Sequence, residues 1–170
     1  MSNGPDNWAT PITADGLTNF WQVSANLYRG AEPTDATGFA SLAALGINTV
    51  IDLETFSTDG EPDIECVAGM NYIHMLMEPY HIEDEDVVAF LQVVADNEHP
   101  PVFVHCVYGS DRTGTLCAMY RIRWQDWSAD EAIAEFADPR FGTHWEWRDI
   151  DEAYIRNADI EKIKREARIP

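Results

Sequence analysis

Val102-Phe103-Val104-His105-Cys106-Val107-Tyr108-Gly109-Ser110-Asp111-Arg112-Thr113-Gly114, residues 102–114, changes character twice along its length. It begins as an apolar run too short for a helix, which reads as a buried strand ending at His105. From Thr113 to Gln125 the pattern is helical. Between strand and helix stands Cys106, then five residues, then Arg112. A tight loop at a helix N-terminus turns several backbone N–H groups inward and makes an anion nest. Val107, Tyr108, Gly109, Ser110, Asp111 and Arg112 are the residues that would form it. Gly109 supplies the freedom in φ that such a turn needs, and Arg112 adds a planar fork that can hold two phosphate oxygens at once. The loop is too short, and lacks the Lys, for a nucleotide-binding P-loop.

Outward from this loop, strands alternate with helices. Asn26-Leu27-Tyr28-Arg29 reads as a short strand ending at Gly30. Thr34 or Asp35 can cap a helix with Phe39, Leu42 and Leu45 on one face and Gly46 as its stop. Ile47–Leu53 (INTVIDL) is rich in β-branched residues and reads as a buried strand. A weaker helix is expected at Asp63–Ala68 and a strand at Asn71–Met77. Val87, Phe90, Leu91 and Val94 give the apolar face of a helix over Asp84–Asp96. Ser128 with Glu131 forms a capping box for a helix reaching Phe136, and a last helix is expected over Asp149–Arg165. This order predicts an α/β fold, a single-domain sandwich with a mostly parallel central sheet and helices on both faces. Residues 1–19 are expected to form an irregular arm and residues 20–170 the domain. In such sheets ligands sit at the carboxyl ends of the strands, which is where Cys106 falls.

The field that binds an anion also favours the thiolate of a cysteine. Cys106 is therefore the candidate nucleophile for in-line attack on phosphorus, giving a phosphocysteine. The nest and Arg112 would hold the equatorial oxygens in the transition state. The Thr113 hydroxyl can donate to the sulfur as it leaves when water hydrolyses the intermediate, and His105 would brace the loop. No metal or other cofactor is required, and no Cys/His cluster has zinc-ligand spacing.

The segment resembles the signature of protein tyrosine phosphatases, most closely the compact dual-specificity type of bacteria, fungi and plants. The resemblance extends to Asn26-Leu27-Tyr28-Arg29-Gly30 with Pro33, to the GINTVIDL strand, and to Tyr120-Arg121 with Trp127–Glu135, and spans Phe20 to Tyr154. It implies the same α/β sandwich, with Cys106 as nucleophile, Arg112 as phosphate clamp and Thr113 assisting hydrolysis. It also implies an Asp on an upstream loop as the general acid, and here the sequence departs from the pattern. Glu78, 28 residues before Cys106, is one candidate. Asp111 is the other, because inositide phosphatases with an Asp-Arg-Thr loop resemble it there. Glu83, Asp84 and Asp86 read instead as first-turn acids favouring a helix dipole.

Thirty acidic residues stand against eleven basic ones, of which only Lys162 and Lys164 are lysines, for a formal charge of −19. Such a chain repels nucleic acid and anionic membrane. Its acidity suits a well-solvated surface or adaptation to high salt. The three cysteines, Cys66, Cys106 and Cys117, do not make a disulfide framework and read as thiols of a reducing, cytoplasmic compartment. The start of the chain has no signal-peptide pattern, and no apolar run could span a bilayer. The expected partners are a phosphorylated protein or a small phosphoester, with phosphate, sulfate or vanadate able to fill the loop, and the chain is expected to be a monomer. Phosphotyrosine leads, with phosphoserine and phosphothreonine behind it. Inositol phosphates and RNA 5′ ends rank lower because no Lys or Arg lies between Glu54 and Pro101 and Val107–Ser110 are uncharged. Arsenate reduction would need a resolving cysteine, for which Cys117 is poorly placed. A phosphate reader without turnover is the non-enzymatic alternative.

Overall fold

The computed structural model describes residues 5, 7–55, 69–96 and 101–169. Cys66 and the helix expected at Asp63–Ala68 lie outside the described residues. Six strands form one sheet in the order β1-β2-β3-β6-β4-β5. They are β1 (Thr10–Pro11), β2 (Trp21–Ser24), β3 (Leu27–Ala31), β4 (Thr49–Asp52), β5 (Asn71–His74) and β6 (Val102–Cys106). β6 lies between β3 and β4, parallel to both, and β5 extends the parallel set. β1 and β2 add an antiparallel edge. The sheet is therefore mixed. The N-terminal segment read as an irregular arm contributes β1, and β2 is a strand the sequence reading passed over.

The pleat of the central strands sorts the core. Val102 and Val104 of β6 and Ile51 of β4 face one side, where they meet Val87, Phe90 and Leu91 of α2 (Asp84–Ala95), Leu116 and Met119 of α3 (Asp111–Trp124) and Ile163 of α6 (Ile160–Ala167). Phe103 and Val50 face the other side, with Tyr28 and the Phe39 and Leu42 of α1 (Ala36–Ala44). Side chains that alternate across a strand make this division automatic. Helices thus cover both faces, as expected. Asp35 caps α1, and Gly46 follows it at φ 76°.

α3 is buried without a break from Thr113 to Arg121. A helix buried all round lies at the centre of a fold rather than on its surface. Within it, Arg121 is 1% exposed and makes a two-pronged pair with Glu135 of α4 (Ala129–Phe136), at 2.9 and 2.6 Å. Removing either partner would strand a buried charge. The expected Ser128–Glu131 capping box opens α4. The single helix expected over Asp149–Arg165 is two, α5 (Trp145–Asn157) and α6. The chain leaves the helix at Ala158, with ψ 130°, and Asp159 caps the next one by accepting from the Lys162 amide. A capping side chain competes with helix continuation.

Candidate active site

β6 ends at Cys106 and α3 begins at Asp111, so the loop joins the carboxyl end of a central strand to the N-terminus of the central helix. Among the described residues no carbonyl or side chain accepts from the amide hydrogens of Val107–Arg112. Six amides free of protein acceptors in one turn at a helix N-terminus form a site prepared for an anion. Cys106 is 3% exposed at its base.

Several contacts fix the loop from behind. Gly109 has φ 67°, and a Cβ there would lie 2.2 Å from the Gly30 backbone, so only glycine fits. Arg29 of β3 is buried and donates to the Gly109 and Ser110 carbonyls at 2.7 and 3.3 Å. Its guanidinium lies over the Phe141 ring, adding a fixed positive charge beneath the nest. The Asn19 side chain and the Ser110 hydroxyl both donate to the Tyr108 and Phe141 carbonyls. The sequence reading noted Arg29 only as the end of a strand.

Arg112 is held edge-on by two carbonyls, Leu53 at 2.9 Å and Met77 at 3.2 Å, both through Nη1. Thr113 is fully buried, and its hydroxyl has no partner among the described residues. Glu78 directly follows Met77 and is exposed, in a turn that bridges to His81. Asp111 is differently placed. Its two oxygens accept from the His144 amide at 2.8 Å and pair with His144 Nδ1 at 2.6 Å. Local spacing gives no sign of this tie between His144 and the loop. Cys117 is buried in the core behind the loop, and burial pushes its thiol up to about 11, which suits packing rather than redox chemistry.

His105 is 1% exposed and stacks on Phe103. Its Nδ1 lies 4.0 Å from Asp52 and 3.9 Å from Glu54, two buried carboxyls at the end of β4 that sequence spacing did not connect to it. Burial holds His105 down at about 4, hence neutral, with Arg112 and His74 also lowering it against Asp52. Burial first, then Glu32 and Asp52, push Glu54 up to about 7, against Arg112 and His74. One ligand atom from each of Asp52, Glu54 and His105 lies within 4.8 Å of the others, a spacing that could take a cation. However, Asp52 already accepts from the Glu54 amide and the Tyr72 hydroxyl. A carboxyl that keeps its proton near neutrality is also a poor ligand. The cluster therefore reads as a buried packing brace under the loop, its His105 nitrogens and Glu54 Oε1 without hydrogen-bond partners among the described residues.

The Glu54 shift fixes a sign. The folded form binds this proton more tightly than the unfolded chain, whose carboxyl titrates near 4.5, so its stabilisation is complete below that pH and is lost as pH rises through about 7. Glu54→Gln should therefore gain melting temperature relative to wild type at about pH 8 and gain little at about pH 5. Thermal unfolding across that range checks it, and a constant difference would refute the assignment.

A mixed sheet with a parallel centre, carrying Cys-X5-Arg between its central strand and a buried helix, with loop amides free of acceptors among the described residues, defines a cysteine-dependent phosphatase. The sequence model of the Tyrosine phosphatase family matches residues 16–169, and the chain belongs to that family. The dual specificity protein phosphatase TpbA of Pseudomonas aeruginosa is 34% identical over 161 residues, covering 92% of this chain and 69% of the relative. The crystal structure of TpbA in complex with phosphotyrosine superposes with a TM-score of 0.81 at 28% identity, covering 98% of this chain and 99% of that one. An inositol diphosphatase of Arabidopsis thaliana, DSP5, is 26% identical over 86% of this chain and 72% of its own length. The protein is thus a phosphatase of the tyrosine-phosphatase type, hydrolysing phosphate monoesters. Among the described residues, no helix is long and apolar enough to cross a membrane.

Proposed function

We propose that this phosphatase acts on phosphotyrosine through a phosphocysteine on Cys106. The Cys106 thiolate attacks phosphorus in line, the P–O bond to tyrosine breaks, and the departing oxygen takes a proton from Glu78. Arg112 and the Val107–Arg112 amides hold the three equatorial oxygens. Water then attacks the phosphocysteine, and the sulfur leaves as the Thr113 hydroxyl donates to it. Phosphate, sulfate and vanadate compete for the same nest. Glu78 is preferred over Asp111 as proton donor because both Asp111 oxygens are engaged by His144, while Glu78 is exposed beside the carbonyl that anchors Arg112.

The observation that carries the reading is the run of amides between Cys106 and Arg112 that have no acceptor among the described residues. The choice of phosphotyrosine is supported by the TpbA relative and by an aromatic, lysine-free surround. Inositol polyphosphates are the second reading, favoured by the resemblance to the plant enzyme. They carry many charges and need several cations, and Val107–Ser110 provide none. Turnover is therefore expected to be highest on phosphotyrosine peptides when these are compared with inositol phosphates and 5′-triphosphate RNA at equal concentration. Faster hydrolysis of either polyphosphate would reverse the choice.

A further inference from the structure

A chain of contacts runs beside the loop. His144 is hydrogen-bonded to Asp111, and its ring meets Tyr108 edge-on at 5.0 Å. His144 immediately precedes α5, whose Trp147 packs on Tyr80 at 6.1 Å. Tyr80 lies three residues after Met77, whose carbonyl accepts from Arg112. The circuit thus begins and ends on the phosphate loop. Two of its aromatic groups stay uncovered, Tyr108 at 62% and Tyr80 at 56% exposed, and Trp145, which follows His144 in the chain, is 81% exposed. A tryptophan that exposed stabilises nothing in the free fold, and aromatic anchors of this kind characterise recognition surfaces.

The exposed charge around them is mostly negative. Glu78, Glu83, Glu85, Glu146 and Asp149 are exposed on the same two segments. The neighbouring cations are paired, Arg140 with Asp138, Arg148 with Glu152 and Lys162 with Asp84. A substrate phosphoryl dianion must approach a chain of formal charge −19, and that repulsion falls when the residues beside it are positive. Arg and Lys also bind the faces of exposed Trp and Tyr.

We propose that Tyr80, Tyr108, His144, Trp145 and Trp147 form a docking rim for the residues flanking phosphotyrosine in a protein substrate, and that it selects flanks carrying Arg or Lys. The proposal rests on the phosphotyrosine reading and adds the identity of the neighbouring residues.

The test compares kcat/KM for matched phosphotyrosine peptides flanked by Arg/Lys or by Asp/Glu, alongside free phosphotyrosine. Basic flanks should be favoured about tenfold at low salt, and the gap should close near 0.5 M KCl, where screening acts within about 4 Å. Trp145→Ala should lower the ratio of basic-peptide to p-nitrophenyl phosphate turnover about fivefold, and Trp145→Phe should restore most of it. Equal rates on both peptides, a preference for acidic flanks, or an unchanged ratio in Trp145→Ala would overturn the rim while free phosphotyrosine is still hydrolysed. Failure to hydrolyse free phosphotyrosine would overturn the reading beneath it and the rim together.

Discussion

Cys106→Ser is expected to lower turnover of p-nitrophenyl phosphate by about 10⁴-fold or more, in the presence of chelator, while the protein stays folded and still binds phosphate or vanadate. The argument is positional. Cys106 closes β6 and is 3% exposed, beside amides that no acceptor among the described residues uses. Serine keeps the volume and the loop, because what shapes the loop lies elsewhere: Arg29 on two carbonyls, Gly109 against Gly30, and Asn19 and Ser110 on the Tyr108 carbonyl. Only the nucleophile is lost. Substantial activity in the variant would move the chemistry away from this sulfur.

The second large effect separates the two acids. Glu78→Gln should cost about 10²-fold or more on phenyl phosphate, whose phenolate needs a proton as it departs, and far less on p-nitrophenyl phosphate. Asp111→Asn should lower both substrates by similar factors. Its carboxylate holds the His144 amide and ring, so the loss loosens the loop mouth without withholding a proton. Rates on a series of phenols of graded acidity distinguish the two. A leaving-group dependence that steepens in Asp111→Asn and not in Glu78→Gln would exchange their roles.

What could be read from the chain and what could not divides along sequence distance. Val102–Gly114 carries its own strand, turn and helix start, so the loop that holds the proposed nucleophile, clamp and hydroxyl was legible in one segment. The α/β order followed from the β-branched run at Ile47–Leu53 and from local caps such as Asp35 and Ser128. The two-residue β1 was too short to carry a pattern. Trp21–Ser24 alternates buried and half-buried residues, but four residues are too few for the alternation to stand out in the sequence. The break at Ala158 went unread because Asp159 looks like any acid within a helix until its capping bond is visible. The supports of the site were the hidden part. Arg29 reaches Gly109 across the sheet, His144 reaches Asp111 from beyond α4, and Asp52 and Glu54 meet His105 across adjacent strands. Each is a partnership of distant residues that local spacing does not encode.

The most direct test of the central claim is to quench the enzyme in acid during turnover and weigh the peptide that contains Cys106. That peptide should carry the mass of one phosphoryl group, and Thr113→Ala, by slowing the second step, should increase the trapped fraction. Sustained phosphate release with Cys106 always unmodified, or the phosphoryl group found on another residue, would contradict it.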